Sequence, residues 1–339
     1  MEHNLRRLLP LLGAIISRDI KKANISVTNR CNLKCRTCNI WRTYVHRPQA
    51  ASKELTVEDY ELFFDNFDFW NWISFTGGEP FLNFRLLLKV TEKAHELKIP
   101  STFVETNCFW SIDDKTAREK LTLLKDAGLN GILISVNPFI LEYVPFERTE
   151  RAIRISEKIF DENVVIYQES FRHQIETLGV EDTLSFEAYL QRVGVRTLYY
   201  MELLPMGRAC YKLGDLYRRY PAQQFFGQSC REELMRDWHI HIDNYGNYIT
   251  GYCGGISLGN AGDLESLRHI NLDEKPILDA LVTDLRKIHE LAVQEFGYNE
   301  LIEGYVSKCH LCVDIRKHIT QQTDEFEELS PVEFYRQLG

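Results

Sequence analysis

Short apolar runs alternate with amphipathic stretches from Ala23 to about Glu202. The β-like runs are "ANISVT", "WISFT", "STFVET", "GILISVN", "NVVIYQE" and "VRTLYYMEL". Segments such as "RLLLKVTEKAHEL" and "TERAIRISEKIFDE" lie between them and carry apolar residues at helical spacing. Because parallel neighbouring strands need crossover connections, this alternation predicts βαβ units and an α/β fold. The strand count alone leaves open a doubly wound sheet, a complete eight-fold barrel and a shorter partial barrel.

The pattern changes after Cys210. The segment "DWHIHIDNYGNYITGYC" alternates around Asn244–Gly246, which predicts a β-hairpin. The segment "PILDALVTDLRKIHELAVQEF" has helical spacing, and "CHLC" at residues 309–312 opens a further short helix. We therefore predict a boundary near residue 210.

Charge and the N-terminus bear on partners and location. A net charge of −9 argues against binding nucleic acid through the overall field of the protein. The apolar stretch in residues 1–22 is interrupted by Pro10 and ends at Arg18, so we predict an amphipathic segment and no transmembrane segment. This predicts a cytoplasmic protein, in which nine cysteines are metal ligands or reactive thiols rather than disulfides.

Cys31, Cys35 and Cys38 follow directly on the first predicted strand, in "SVTNRCNLKCRTCNIW". Thiolates on a tight loop suit either zinc or an iron–sulfur cluster. Three ligands leave one metal position open, which a catalytic site needs. A structural zinc site would draw a fourth ligand locally, and His46 is the only near candidate, at an odd spacing.

This C-x3-C-x2-C spacing resembles the signature of the radical S-adenosylmethionine (radical SAM) superfamily. "FTGGEP", residues 75–80 at the end of the second predicted strand, extends the resemblance over residues 23 to about 210. The resemblance implies a partial (β/α)6 TIM-like barrel with a 4Fe–4S cluster at the three cysteines. It also implies that S-adenosylmethionine is cleaved reductively to a 5′-deoxyadenosyl radical, which abstracts hydrogen from a substrate C–H bond.

The resemblance also implies where the cofactor is held. The glycine turn contacts the methionine amino group, since glycines allow a close backbone approach and their carbonyls accept from an ammonium. Thr37 stands where many members have an aromatic residue that packs on adenine, so Ile40 or Trp41 are the candidates for that contact. The expected contacts to S-adenosylmethionine are Gly77, Gly78, Glu79, Pro80, Asn107, Ser135 and Asn137.

A second cysteine set, Cys230, Cys253, Cys309 and Cys312, lies after the predicted barrel. Together with "PMGRA" at residues 205–209 it resembles the twitch or SPASM extension, although six residues rather than the usual four separate Gly246 from Cys253. Four thiolates predict one auxiliary 4Fe–4S cluster, with zinc as the alternative. The predicted organisation is an N-terminal segment, a barrel, an auxiliary domain and a tail, at residues 1–22, 23–210, 211–322 and 323–339.

Other polar residues allow two interpretations each. His239, His241 and Asp243 share one strand face and resemble a two-histidine-one-carboxylate site, although a polar hairpin face is the favoured interpretation. Cys108 and Cys210 are either buried core thiols or catalytic hydrogen-atom donors.

These alternatives lead to different functions. A fully ligated auxiliary cluster would accept an electron from the substrate radical, giving net oxidation such as dehydrogenation or crosslinking. Hydrogen donation by Cys108 or Cys210 would instead give epimerisation. The substrate is a small molecule or a peptide; only 22 residues precede the first strand, which lowers the expectation of a leader-binding maturase. The expected reductant is a ferredoxin or flavodoxin. A non-catalytic metal-binding or electron-transfer protein is opposed by the intact triplet and "GGEP".

Overall fold

The computed structural model describes residues 22–38, 43–44, 55–66, 72–200, 204–234, 236, 239–263, 267 and 270–338. The chain divides into two compact units. The first comprises Lys22–Cys35 and Tyr44–Leu203, and the second includes Arg36–Thr43 and Leu204–Gly339. The predicted amphipathic segment lies outside the described residues apart from Lys22, and so do Ile40 and Trp41. Within the described part, no helix is long and apolar enough to cross a membrane.

The first unit contains a parallel sheet. Its strands are β1 (Lys22–Thr28), β4 (Ile73–Gly77), β5 (Thr102–Thr106), β6 (Gly131–Ser135) and β7 (Val164–Tyr167), and they lie side by side in chain order. The two-residue strands β2 (Arg30–Cys31) and β3 (Thr43–Tyr44) come between β1 and β4 in the chain. Every neighbouring pair among the five is parallel. Because the order never reverses, these strands do not form a doubly wound sheet, and five fall short of a complete eight-fold barrel. The predicted α/β class is confirmed.

Helices separate the strands, as the crossover rule requires. The strand interiors are fully buried at Ile25, Phe75 and Val104, and the helices bury one face each, as at Leu87 and Leu121. The α-helices of this unit are Val57–Asn66, Phe84–Glu96, Asp114–Asp126, Pro138–Leu141, Phe146–Phe160, Glu169–Thr177 and Phe186–Val193, with a 3₁₀ helix at Pro80–Asn83.

One predicted strand is wrong. In place of a strand over "VRTLYYMEL", Val195–Tyr200 form a 3₁₀ helix, and residues 201–203 lie outside the described part. Val195 is 66% exposed, whereas a strand inside a parallel sheet is buried on both faces. Thr197 instead accepts a 3.1 Å hydrogen bond from Gln174 Nε2, on the helix after β7. The β-like composition was therefore overridden by packing, and the described sheet has five parallel strands rather than six.

The second unit contains the predicted hairpin, β8 (His239–Ile242) paired antiparallel with β9 (Tyr248–Thr250). The Asp243 carboxylate organises its turn, because Oδ1 accepts from the N–H groups of Tyr245 and Asn247 at 2.7 and 2.9 Å. The α-helices are Arg208–Lys212, Arg231–Leu234, Pro276–Thr283, Leu285–Phe296, Lys308–Gln322 and Val332–Arg336, with 3₁₀ helices at Gly214–Leu216, Ala222–Phe225 and Leu272–Glu274.

The charge of "TDEFEEL" at residues 323–329 predicts a solvated segment. Asp324, Glu325 and Glu327 are exposed as predicted, whereas the residues after them are packed. Glu328 and Leu329 are each 3% exposed, and Phe334 and Tyr335 are 2% exposed. The Glu328 carboxylate accepts a 3.0 Å hydrogen bond from the N–H of Ile277, in the first turn of the helix Pro276–Thr283. This segment is therefore part of the second unit.

Candidate functional site

The glycine turn after β4 is hydrogen-bonded to the end of β1 and the start of the cysteine loop. Gly78 N donates to the carbonyl of Thr28 at 2.6 Å, and Glu79 N donates to the carbonyl of Arg30 at 2.8 Å. A Cβ on Gly78 would lie 1.9 Å from the Arg30 oxygen, and one on Gly77 would lie 2.2 Å from the Thr28 oxygen. The close approach for which glycine is needed is therefore an approach to the backbone that leads into Cys31.

The Glu79 side chain points into the protein. It is 1% exposed, and burial raises its pKa to about 7, against the lowering effect of its hydrogen bonds. Oε1 accepts from the Phe81 N–H at 3.2 Å and the Thr106 hydroxyl at 2.9 Å, while Oε2 accepts from the Asn107 N–H at 2.8 Å. Glu79 was predicted to contact S-adenosylmethionine; in the structure its carboxylate joins the ends of β4 and β5. Pro80 is buried and begins the 3₁₀ helix that follows.

Asn107 connects the end of β5 with the cysteine loop. Its Nδ2 donates to Asn32 Oδ1 at 3.0 Å, and its Oδ1 accepts from the Phe109 N–H at 3.0 Å. On the same loop, Cys31 is 6% exposed and packs with Leu33, Ile140 and Val144. The loop that carries Cys31 is thus held both by the glycine turn and by the third strand of the sheet.

Cys35 lies against the short helix that follows β6. Its Sγ donates to the carbonyl of Phe139 at 3.6 Å. Asn137 caps this helix, because its Oδ1 accepts from the N–H groups of Phe139 and Ile140 at 3.1 and 3.0 Å. Ser135 is half-buried at the end of β6.

Cys38 belongs with the second unit, and its carbonyl accepts from the Arg208 N–H at 3.0 Å. All nine cysteines are described, and none is in a disulfide. Cys35 and Cys38 are half-buried thiols. Soft sulfur donors that are partly accessible fit the iron–sulfur cluster that the spacing predicts.

The two remaining cysteines are fully buried. Cys108 is 0% exposed in a left-handed conformation (φ 64°), and its N–H donates to the Thr106 hydroxyl at 3.1 Å. Burial raises the pKa of its thiol well above the ordinary value. Cys210 is also 0% exposed, and burial raises its pKa to about 12.

The second cysteine set surrounds a cavity of about 60 Å³ in the second unit. All four cysteines of the set, Cys230, Cys253, Cys309 and Cys312, line it. Cys309 and Cys312 lie in the first turns of the helix Lys308–Gln322, which Ser307 caps by accepting from the His310 N–H at 3.0 Å. Cys230 precedes the helix Arg231–Leu234 and Cys253 follows β9, so distant parts of the chain meet here.

These four thiols influence one another. Burial, followed by the neighbouring cysteine sulfurs, raises the pKa of Cys253 and of Cys309 to about 12. Burial, followed by the sulfurs of Cys312, Cys253 and Cys309, also raises the pKa of Cys230. As thiolates these groups would repel one another. A bound metal cation would offset this repulsion and stabilise the deprotonated sulfurs. The residues fit a metal–thiolate group.

A site for a single metal ion has no such support. Among the described residues, no group of three or more His, Cys, Asp and Glu side chains is arranged to hold one. The four sulfur ligands of an iron–sulfur cube bind four different irons, so they lie further apart than the ligands of one ion. The His239 and His241 rings lie 4.6 Å apart, but Asp243 Oδ1 is engaged by its turn and Oδ2 accepts from Asn247 Nδ2 at 2.8 Å. That trio is therefore a polar hairpin face in this structure.

Comparison with known families finds one match in the N-terminal part of the chain. The sequence model of the Radical SAM superfamily matches residues 25–186. This match supports membership of this part of the chain in the Radical SAM superfamily. The match confirms, at the level of the superfamily, the prediction of a radical SAM enzyme. The radical SAM family implies a 4Fe–4S cluster and S-adenosylmethionine as cofactors.

Individual relatives are distant. A curated relative, the GTP 3',8-cyclase of Aquifex aeolicus (strain VF5), is 24% identical over 201 residues, which are 57% of this chain and 59% of the relative. The chain therefore matches less than two thirds of that relative's length. Two solved structures are similar at low identity. BtrN in complex with AdoMet and 2-DOIA has 15% identity and a TM-score of 0.39, over 77% of this chain and 87% of that one. Native anSMEcpe with bound AdoMet and Cp18Cys peptide has 13% identity and a TM-score of 0.41, over 94% and 95%. Similarity at this level carries no conclusion about this chain.

Sequence reasoning missed Arg316, which also lines the four-cysteine cavity. Its signal was its spacing, because Arg316 follows Cys312 by four residues on a predicted helix and so shares its face. It also missed the link from Asn107 to Asn32, which no spacing in the sequence indicates.

Proposed function

We propose that the chain is a radical SAM enzyme whose reaction ends in net oxidation of its substrate. An auxiliary 4Fe–4S cluster in a twitch-like second unit, held by Cys230, Cys253, Cys309 and Cys312, would accept the electron. The observation that carries this proposal is the single cavity that all four cysteines line.

The three spaced cysteines and the polar residues at the ends of β4, β5 and β6 would position the cofactors. When bound at Cys31, Cys35 and Cys38, a 4Fe–4S cluster supplies the one-electron cleavage of S-adenosylmethionine that yields the 5′-deoxyadenosyl radical. Glu79 fixes the glycine turn against β5, which leaves the turn carbonyls to accept from the methionine ammonium. Asn137 uses its Oδ1 in the helix cap, so Nδ2 is its donor for the cofactor. Ser135, half-buried at the end of β6, is the other polar contact proposed here.

Four thiolates favour an electron acceptor over a substrate-binding cluster. Each iron of a 4Fe–4S cube takes one cysteine, so four ligands leave no iron open to substrate. Loss of a hydrogen atom from the substrate, followed by loss of one electron to the cluster and release of one proton, is a net two-electron oxidation. The fully buried positions of Cys108 and Cys210 disfavour epimerisation, because a hydrogen donor has to reach the substrate radical.

The substrate remains a small molecule or a peptide in this proposal. A ferredoxin or flavodoxin is the proposed reductant. A peptide-modifying maturase and a non-catalytic metal protein are the alternatives.

The test is an iron and sulfide count on protein reconstituted without oxygen, followed by dithionite, S-adenosylmethionine and detection of 5′-deoxyadenosine. Two four-iron clusters predict about eight irons per chain, and the double variant Cys309→Ala/Cys312→Ala should keep about four. That variant should still release 5′-deoxyadenosine, whereas Cys31→Ala/Cys35→Ala/Cys38→Ala should keep about four irons and release none. Cys210→Ala is the matched control for loss of a buried cysteine and should keep the wild-type iron count.

Two outcomes would contradict the proposal. About four irons in the wild-type chain, unchanged by Cys309→Ala/Cys312→Ala, would remove the auxiliary cluster and the oxidation that depends on it. Zinc in the second site with no cofactor cleavage would favour the non-catalytic alternative.

A further inference from the structure

Arg316 places a positive charge in the interior of the second unit. It is 5% exposed, lies on the helix Lys308–Gln322 one turn after Cys312, and lines the four-cysteine cavity. Its Nη1 donates to the Gly254 carbonyl at 3.0 Å and to the Tyr335 hydroxyl at 2.8 Å. These contacts join the cysteine helix to the loop after Cys253 and to the C-terminal helix.

Both of those acceptors are neutral. Among the described residues, Arg316 forms no ion pair with a carboxylate, and its Nε is buried without a hydrogen-bond partner. Burying a charge without a counter-charge is unfavourable, so a negative group nearby would stabilise a guanidinium buried here. The groups that balance the charge are therefore those that face the cavity.

Other cations near the cavity differ from Arg316. Lys308 forms a 2.6 Å ion pair with the Glu233 carboxylate, which neutralises it locally. Arg236 is half-buried and lies over the Tyr252 ring, 5.7 Å from its centroid. Arg316 combines burial, an opening onto the cavity and the lack of a carboxylate among its described partners.

We propose that Arg316 is the buried counter-charge of the auxiliary metal–thiolate group and holds its reduction potential high enough to accept an electron. This inference rests on the proposed function. Four thiolates outweigh the positive charge of an iron–sulfur core, so the bound group is an anion, and reduction makes it more negative. A cation fixed beside it stabilises the reduced state more than the oxidised state. Arg316 is thus a positioning and charge-compensating residue rather than a cluster ligand.

The test isolates the auxiliary cluster in a Cys31→Ala/Cys35→Ala/Cys38→Ala background and measures its midpoint potential by EPR-monitored titration. Arg316→Met should retain about four irons. Its cluster should be about tenfold poorer as an electron acceptor, which is a fall of about 59 mV in midpoint potential for a one-electron couple. Arg316→Lys should recover part of that fall because it restores the charge. Lys317→Met is the matched control, since it removes a charge from the next position, which does not line the cavity.

Each result either supports or overturns the proposed role of Arg316. An unchanged potential in iron-loaded Arg316→Met, or an equal fall in Lys317→Met, would overturn the role of Arg316. If Arg316→Met holds no iron, the charge-retaining variants Arg316→Lys and Tyr335→Phe decide. If both variants hold iron at a midpoint potential near that of the wild type, the charge of Arg316 is what matters, and the proposal is supported. If both variants lose iron, the hydrogen bonds of Arg316 hold the site together, and the proposal is overturned. No iron in the background chain with Arg316 intact would instead refute the proposed auxiliary cluster, and this inference with it.

Discussion

The main-chain N–H of Glu79 donates a 2.8 Å hydrogen bond to the carbonyl oxygen of Arg30, the residue before Cys31. The glycine turn and the cysteine loop, far apart in sequence, are therefore one hydrogen-bonded structure. The cluster ligands and the proposed contacts to the methionine ammonium are positioned by the same backbone. A disturbance of the turn should consequently affect both cluster retention and cofactor cleavage.

Gly78→Ala tests this coupling. The new Cβ would lie 1.9 Å from the Arg30 oxygen, and that oxygen belongs to the backbone and has little freedom to move. We expect a loss of stability of about 3 kcal/mol and at least a tenfold fall in 5′-deoxyadenosine release, accompanied by loss of iron. Urea unfolding, iron content and 5′-deoxyadenosine release measure the three effects.

Gly214→Ala is the matched control. Its Cβ would meet only the side chain of Arg219, at 2.6 Å, and the end of a flexible side chain can move away. It should keep wild-type iron and cleavage. Full iron and full cleavage in Gly78→Ala would refute the coupling between turn and loop.

Glu79→Gln should change how stability depends on pH. Burial raises the pKa of Glu79 to about 7, above the value of 4.5 for an unperturbed Glu. Between these values the folded state binds more protons than the unfolded chain, so the free energy of unfolding falls as pH rises from about 4.5 to about 7. The contribution is roughly 3 kcal/mol, and Glu79→Gln should lack this fall.

Urea unfolding at pH 5 and pH 8 measures the difference between the wild type and Glu79→Gln. Glu92→Gln, on the exposed face of the helix Phe84–Glu96, is the control for the loss of a carboxyl group. Parallel pH curves for the wild type and Glu79→Gln would show that burial does not hold the proton on Glu79.

The link between Asn107 and Asn32 should be measurable as a coupling energy. The side chains share one 3.0 Å hydrogen bond between the third strand of the sheet and the cysteine loop. A double-mutant cycle with Asn32→Ala and Asn107→Ala should give a coupling of about 1 kcal/mol in urea unfolding. The single variant Asn107→Ala should cost more, because it also leaves the Phe109 N–H without its 3.0 Å acceptor. Additive effects would mean that the bond does not connect strand and loop in solution.

The sequence predicted the elements whose signal is local. Five of the six proposed parallel strands are present. The apolar runs of the first four are buried, while Val164–Tyr167 alternates between half-buried and exposed residues at the edge of the sheet. The hairpin forms where alternation meets a turn at Asn244–Gly246. The sixth predicted strand, "VRTLYYMEL", is wrong. Its composition is typical of a strand, but it begins with the exposed Val195 and forms a 3₁₀ helix. Composition indicates which backbone conformations a segment can adopt, and tertiary packing determines which one it does adopt.

The candidate site likewise has features with a local sequence signal and features that depend on long-range contacts. The four cysteines that spacing predicts as auxiliary ligands all line one cavity. The inward direction of the Glu79 carboxylate depends on donors from Thr106 and Asn107, which reach it only after the sheet has formed. The buried Arg316 donates to the hydroxyl of Tyr335, which lies on the C-terminal helix. Such features depend on long-range contacts, and no local pattern encodes them.

Cys108 and Cys210 should be inert towards thiol reagents in the native chain. Both are 0% exposed, and burial raises the pKa of both thiols, to about 12 for Cys210. A thiol reacts as the accessible thiolate, so both should be labelled by N-ethylmaleimide at least about tenfold more slowly than the half-buried Cys35 and Cys38. Mass spectrometry of metal-free protein, with and without denaturant, measures the rates site by site. Rapid native labelling of Cys108 alone would show that its thiol is reachable, and the epimerase alternative would then regain support against oxidation.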